Sequence, residues 1–225
     1  MLESDKEEEA FEKYPRNYLQ YGEKLKTLIK QKKPVQKKHH PHIWVYGFPG
    51  TGKTAVMNFL YPQTYKKDLN NRFFDLYDDK IHSHVMLEDL DHANVDKLGI
   101  QFLKTLCDES GFPIDQKYKT PQLTKTTVLV TSNFTIGDVV PEGKGVDETK
   151  MALHRRFLQV RIDDLLRFLG LKLIPSYERK QLKLNGNNDP AAVFMTWDYV
   201  MNYPTGEEVK DPTYYQNMIL ERYYS

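Results

Sequence analysis

One segment of the chain has the spacing of a loop that holds phosphate. The stretch Gly47-Phe-Pro-Gly-Thr-Gly-Lys53-Thr54 matches the pattern G-x-x-x-x-G-K-S/T at its fixed positions. Glycines let consecutive backbone N–H groups curve around an anion, and the N-terminus of the following helix adds a favourable dipole. We expect Lys53 to reach the β- and γ-phosphates of a nucleotide and the Thr54 hydroxyl to hold Mg²⁺. The residues predicted to contact the nucleotide are Gly47, Pro49, Gly50, Thr51, Gly52, Lys53 and Thr54.

Two carboxylates follow a later apolar run, in the stretch Val85-Met-Leu-Glu88-Asp89. In a parallel sheet this end of a strand faces the phosphate loop, where ligands bind. One carboxylate would orient the shell of a bound Mg²⁺, and the other would polarise an attacking water molecule. We assign Glu88 to the metal and Asp89 to the water, and the reverse assignment stays open.

A third apolar run ends in small polar residues, Val128-Leu-Val-Thr131-Ser132-Asn133. Serine and asparagine also favour helix caps and turns, so the run alone predicts little. Its position after the other two motifs makes Asn133 a candidate to hydrogen-bond the γ-phosphate or the attacking water.

Alternating strands and helices must position these motifs. The predicted strands are Ile43–Tyr46, His84–Glu88, Thr126–Thr131 and Phe157–Ile162. The predicted helices are Lys53–Leu60, a single amphipathic helix over Val95–Asp108, a segment carrying Leu153–Arg156, and Tyr214–Tyr224, with a loop over Gly137–Gly145. This alternation predicts an α/β fold with a parallel sheet.

Bulk composition allows one substantial domain and gives little direct evidence for a partner. The 225 residues are 40% hydrophobic and carry a formal net charge of +1, and no apolar run approaches the roughly 20 residues that span a bilayer. The seven lysines within residues 24–38 either follow a phosphate backbone or form a solvated linker. Cys107, the single cysteine, lies in an apolar pattern and should pack rather than react.

The order of the motifs resembles that of superfamily 3 helicases, which occur in replication proteins of small DNA viruses. The order is Gly47–Thr54, Glu88-Asp89, Lys117 and Lys119, Thr131-Ser132-Asn133, then Leu153-His-Arg155-Arg156-Phe157. Ile114-Asp-Gln-Lys117-Tyr-Lys119 with Gln122-Leu123 looks like the DNA-contacting hairpin of parvovirus and papillomavirus helicases. Residues 61–77 look more like circular single-stranded DNA virus Rep proteins of the circovirus type, which we favour. The resemblance covers roughly residues 11–165.

The resemblance implies a P-loop NTPase of AAA+-like fold that forms a ring, usually a hexamer, with ATP and Mg²⁺ bound between subunits. Arg156, or else Arg155, would reach into the neighbouring site as an arginine finger. Lys117 and Lys119 would grip the backbone of single-stranded DNA, and Tyr118 would either stack on a base or pack in the hairpin. The family also implies 3′→5′ movement and the host cell nucleus as location, with no membrane.

We divide the chain into a helical oligomerisation segment and linker (1–40), an ATPase core (41–165) and a C-terminal extension of unclear role (166–225). The helix predicted over residues 7–32, with a break at Pro15, packs either between subunits or onto its own core. Relatives of the circovirus type begin with a nuclease that uses a His-x-His pair. We interpret His40-Pro-His42 and His82-Ser-His84 as structural or solvent-facing instead, because both lie at the entry to core strands.

Two other functions fit parts of this pattern. A ring ATPase for genome packaging or assembly would share the site without separating strands. A P-loop kinase for a small molecule would leave the Thr-Ser-Asn strand and the arginine pair unexplained.

Overall fold

A five-stranded parallel sheet forms the centre of the protein. The computed structural model describes residues 11–22, 40–78, 81–108, 111–114, 122–124 and 126–224. The strands in chain order are β1 (His42–Tyr46), β2 (Thr64–Lys66), β3 (His84–Leu87), β4 (Phe112–Ile114), β5 (Gln122–Thr124), β6 (Thr127–Ser132), β7 (Phe157–Arg161), β8 (Leu171–Leu173) and β9 (Phe194–Thr196). The central sheet has the order β2-β3-β6-β1-β7, and β4-β5 and β8-β9 form two antiparallel pairs.

Helices cover both faces of the sheet. They are α1 (Lys53–Leu60), α2 (His92–Leu98), α3 (Ile100–Leu106), α4 (Ile136–Val139), α5 (Val146–Arg156), α6 (Ile162–Leu169), α7 (Ser176–Leu184), α8 (Trp197–Met201) and α9 (Pro212–Tyr224). A 3-10 turn spans Pro190–Val193. None of the described helices is both long and apolar enough to cross a membrane.

The alternation of side chains along the strands builds two separate cores. On one face Trp44, Val85 and Val128 pack with residues of α2 and α3. On the other face Met86 and Leu129, the next residues along β3 and β6, pack with α1, α6 and α9. A parallel sheet buried on both faces requires apolar runs rather than alternating polarity, which is why these strands could be recognised. The predicted α/β fold class is confirmed.

Most predicted elements of the core are present within one or two residues, but the single helix over Val95–Asp108 is wrong. The chain forms α2 and α3 instead, separated by Gly99 with φ of 82°. The Leu98 carbonyl accepts a hydrogen bond from Arg72 Nε (3.0 Å), so it does not continue the helical ladder. A residue with a side chain would also be strained at this φ.

The predicted loop Gly137–Gly145 is partly helical. It begins inside α4, whose N-terminus is capped by reciprocal hydrogen bonds between Thr135 and Asp138. Six further elements, β2, α6, β8, α7, β9 and α8, had no prediction. Strand β2 is only three residues long, which is too short for a periodic pattern to mark it.

The C-terminal residues pack onto the core that contains α1, the helix that follows the phosphate loop. The predicted helix Tyr214–Tyr224 is confirmed as α9, which begins at Pro212. Its Tyr215 is buried in the same cluster as Phe59 of α1, and Gln216 Nε2 donates a hydrogen bond to Leu60 O (2.5 Å). The proposed domain division remains a prediction.

At the N-terminus, residues 11–13 and 15–22 are helical. The interruption at residue 14 immediately precedes Pro15, since the ring of proline disfavours helical geometry in the residue before it. The rest of the predicted 7–32 helix lies outside the described residues, as do the lysines of 24–38.

Cys107 and the histidines of the two His-x-His pairs are part of the packing. Burial raises the pKa of the Cys107 thiol, which lies in the first core cluster as predicted. His42 Nδ1 accepts a hydrogen bond from Val128 N–H (2.8 Å), and His84 is buried against Tyr61.

Candidate functional site

The carboxyl ends of β1, β3 and β6 surround an open cavity of about 490 Å³. Its lining comes from the loops that follow these three neighbouring strands, from the first turn of α1 and from one residue of α7. The lining residues are Pro49, Gly50, Gly52, Lys53, Thr54, Ala55, Asp89, Leu90, Asp91, Asn133, Phe134 and Arg179. The structure therefore brings the three sequence motifs to one place.

Close packing from behind fixes the phosphate loop. A Cβ on Gly47 would lie 2.7 Å from Ile162 Cγ2, and a Cβ on Gly52, where φ is 90°, would lie 2.6 Å from Leu173 Cδ2. Gly50 also has positive φ (76°), but a Cβ there would meet nothing within 4 Å. The loop thus presses its glycines against the C-terminal part of the chain and leaves its outer side open.

Lys53 is held by its own chain at the inner end of the cavity. Its Nζ donates hydrogen bonds to Gly47 O (3.0 Å), Phe48 O (2.9 Å) and Asn133 Oδ1 (2.8 Å). The side chain is only 5% exposed. Burial lowers the pKa of the Lys53 ammonium, and the nearby Asp89 carboxylate partly opposes this shift.

The turn after β3 is fastened to the end of β6. Asp89 N–H donates to Thr131 Oγ1 (3.0 Å), and Leu90 N–H donates to Thr131 O (2.9 Å). In return, Ser132 Oγ donates to Leu90 O (2.6 Å). Asp89 adopts a left-handed conformation with φ of 51°, which aspartate tolerates better than most residues. These bonds explain why Thr131 and Ser132 are polar yet fully buried.

The two acids of the pair face different surroundings. Asp89 is exposed and lines the cavity. Glu88 is partly buried, and its Oε2 lies 3.2 Å from Lys66 Nζ on the neighbouring strand β2. The two acids are therefore not equivalent in the structure, because Asp89 lines the cavity and Glu88 pairs with Lys66.

Asn133 directly follows β6 and is exposed. Its amide oxygen accepts from Lys53, and among the described residues its amide nitrogen has no hydrogen-bond partner. The following residue is fixed, because Phe134 N–H donates to Ser132 Oγ (3.0 Å) and Phe134 O accepts from Trp44 Nε1 (2.9 Å).

The arginine pair lies at the end of α5, outside the cavity lining. Arg156 Nη1 donates to Ala152 O (3.0 Å), and its Nη2 lies 3.9 Å from Asp108 Oδ2. Arg155 is exposed and makes no hydrogen bond or ion pair with the part of the chain that the structure describes. Contacts within the chain thus fix Arg156, whereas no contact with the described residues fixes Arg155.

The predicted DNA-contacting hairpin has its strands in place. Strands β4 and β5 pair antiparallel, with Ile114 opposite Gln122. Lys117, Tyr118 and Lys119 come between these strands in sequence and lie outside the described residues, so their predicted role remains a prediction.

Arg179 was missed by sequence reasoning. It lies on α7, in the segment to which no role was assigned, and lines the cavity beside the phosphate loop. Its Nη2 donates to Gly50 O at 3.3 Å. No local pattern marks it, because the contact joins residues far apart in sequence.

Comparison with known proteins finds a family whose model matches and a distantly similar solved structure. The family model of parvovirus non-structural protein NS1 matches residues 18–181. No curated protein matches the chain. A solved structure of JCV helicase bound to an acetamide compound is 16% identical, with a TM-score of 0.37, over 93% of this chain and 57% of that one. The chain thus spans a little over half the length of that helicase.

Proposed function

Since the chain belongs to the parvovirus non-structural protein NS1 family, we propose that it is the motor domain of a viral replication protein. In this proposal it is a superfamily 3 helicase that hydrolyses ATP between the subunits of a ring and moves along single-stranded DNA. The observation that carries the proposal is the position of Lys53, fixed between two loop carbonyls and Asn133 at the inner end of an open cavity. The narrower circovirus-like type, the hexameric state and the host nucleus remain predictions.

The cavity suits the phosphates of a nucleotide with magnesium. Its outer wall is open at Gly50, so backbone N–H groups can approach an anion closely. Lys53 supplies a cation that is ordered before any ligand binds, and the amide nitrogen of Asn133 supplies a further donor. Thr54 and Asp89 both line the cavity and provide the oxygen ligands that Mg²⁺ accepts together with phosphate oxygens. When bound, Mg²⁺ would neutralise charge that develops on the phosphates.

The geometry favours a modified division of labour between the acids. Asp89 faces the cavity, so it is the better candidate for the metal shell. Glu88 would act on the attacking water only after separating from Lys66, and an ion pair between partly exposed groups is weak enough to allow this. Comparing Asp89→Asn with Glu88→Gln for Mg²⁺ dependence tests the assignment.

Neither arginine of the pair at the end of α5 lines the cavity of its own chain. Arg156 is engaged with Ala152 and Asp108 of the same chain, whereas Arg155 projects from the end of α5. We therefore favour Arg155 as the residue that a neighbouring subunit's nucleotide would meet, where it would stabilise charge on the transferred phosphoryl group.

A packaging or assembly ring remains the second candidate, because it would use the same nucleotide site. The two functions differ in whether the predicted DNA-contacting residues between β4 and β5 couple ATP hydrolysis to strand separation. The test compares wild type with a Lys117→Ala/Lys119→Ala double variant, measuring ATPase with and without single-stranded DNA together with duplex unwinding. The helicase predicts that the double variant keeps its basal ATPase and loses DNA stimulation and unwinding. Equal stimulation in both proteins, or no unwinding by wild type, would contradict it.

A further inference from the structure

Arg179 is the second cation of the phosphate cavity, and it comes from the C-terminal segment. Of the described residues that line the cavity, only Lys53 and Arg179 are cationic. Lys53 already donates to three acceptors of its own chain. A nucleotide di- or triphosphate carries several negative charges, so an additional partner with free donors has a clear use there.

The guanidinium of Arg179 is poorly satisfied as it stands. Its Nη2 reaches Gly50 O at 3.3 Å, which is beyond the usual N–H···O length. Its Nε is buried and has no hydrogen-bond partner among the described residues. A buried donor without an acceptor is costly. An anion in the cavity beside Gly50 would supply acceptors for the planar, five-donor group.

Core packing does not explain why α7 lies at this position. None of its residues is buried. The residues just before it anchor it instead, since Leu173 packs on Gly52 and Ile174 N–H donates to Val193 O (3.0 Å). The segment therefore packs against the phosphate loop at Gly52 and places Arg179 beside Gly50, on the open side of the loop.

We propose that Arg179 binds the phosphate chain of the nucleotide from the same subunit, so that α7 acts as a clamp on the loop. This inference rests on the proposed nucleotide site. Arg179 contacts the loop at Gly50 rather than at the inner end that Lys53 and Asn133 occupy. It therefore binds the part of the phosphate chain that ADP and ATP share, and acts as a positioning and affinity residue.

The test measures binding rather than turnover. Isothermal titration with Mg²⁺-ADP compares wild type, Arg179→Ala, Arg179→Lys and Lys180→Ala, the last removing the adjacent exposed cation of α7 as a matched control. Because a charged hydrogen bond is lost, Arg179→Ala should bind ADP at least about tenfold more weakly than wild type. The ADP affinity of Arg179→Lys should lie between those of wild type and Arg179→Ala, and that of Lys180→Ala should match wild type. Without nucleotide, no variant should melt at a lower temperature than wild type.

Each contrary result has a distinct meaning. Wild-type affinity in Arg179→Ala would overturn the clamp and leave the nucleotide site intact. A lowered melting temperature in nucleotide-free Arg179→Ala, or an equal loss of affinity in Lys180→Ala, would also overturn it, because the role would then be structural or one of general charge. A folded wild-type protein that binds no Mg²⁺-ADP would overturn the clamp and the proposed function together.

Discussion

The phosphate cavity and the end of α5 hold their cations in opposite ways. Lys53 is 5% exposed and donates to three acceptors of its own chain. Arg155 is exposed and has no partner among the residues that the structure describes. Folding has therefore ordered the first cation, while no contact with the described residues orders the second.

In the proposed ring, each chain would therefore contribute a cavity to one site and an arginine to the next. A preorganised group acts without losing side-chain entropy when the ligand binds. An exposed guanidinium loses that entropy on binding, so its contribution depends on the neighbour that receives it. In a closed ring with head-to-tail contacts, each subunit can present the cavity on one side and Arg155 on the other.

Replacing the two adjacent arginines gives the largest expected effect and would break the comparison most clearly. Arg155→Ala should lower kcat of the assembled ATPase about 1000-fold, which is the typical contribution of an arginine finger. Arg156→Ala removes contacts to Ala152 and Asp108 instead. It should lower the free energy of unfolding by about 1 kcal/mol with little change in kcat. The reverse pattern in ATPase and denaturation assays would show that Arg156 is the finger.

A pair of glycines tests how far the rigidity of the cavity depends on the C-terminal segment. Gly50→Ala and Gly52→Ala both place a side chain at positive φ, but only the second drives a Cβ against Leu173. Gly52→Ala should lower the free energy of unfolding by about 1 to 3 kcal/mol more than Gly50→Ala. Adding Leu173→Ala to Gly52→Ala should recover part of that difference. If urea denaturation shows equal losses of unfolding free energy for both variants, the packing of Leu173 against Gly52 does not support the loop.

The smallest expected effect concerns Lys67, which is buried like Lys53 but lies outside the cavity. Its Nζ donates to Asp68 O (2.5 Å) and Asn71 O (2.6 Å), and it does not line the cavity. Burial lowers the pKa of Lys67 to about 8 from 10.5. Between these values the unfolded chain binds more protons, so the contribution of Lys67 to stability increases with pH. The free energy of unfolding should rise by about 1 to 2 kcal/mol from roughly pH 8 to 10 because of Lys67.

The control for this titration is Lys67→Met, which has no charge to lose. Its free energy of unfolding should lack the rise that wild type shows over the same range. The measurement stops near pH 10 because burial raises the pKa of Tyr65 to about 12. A tyrosine that stays protonated in the folded state makes stability fall as pH rises above its ordinary pKa near 10. Parallel curves for the two proteins would contradict the shifted pKa of Lys67.

The sheet and the phosphate loop could be predicted because their signals are local. Strands β1, β3 and β6 are apolar runs bounded by turn residues, and the loop is a contiguous pattern of glycines ending in Lys53 and Thr54. The meeting of the three motifs followed from the rule that parallel strands end at one edge.

Contacts between distant residues account for what was missed. Arg72 takes the Leu98 carbonyl and helps to divide the predicted helix at Gly99. Leu173 against Gly52, and Arg179 beside Gly50, join residues more than a hundred positions apart. Periodicity and turn chemistry describe neighbours in the chain, so neither can report such pairs.

A complementation assay tests the shared site most directly. Lys53→Ala removes the cation at the inner end of the cavity and keeps Arg155, whereas Arg155→Ala does the reverse. Each variant alone should be nearly inactive, but mixed rings contain interfaces that pair an intact cavity with an intact arginine. Random mixing at equal amounts predicts recovery of about a quarter of wild-type ATPase. A mixture that assembles but stays as inactive as its components would contradict a site completed by the neighbouring subunit.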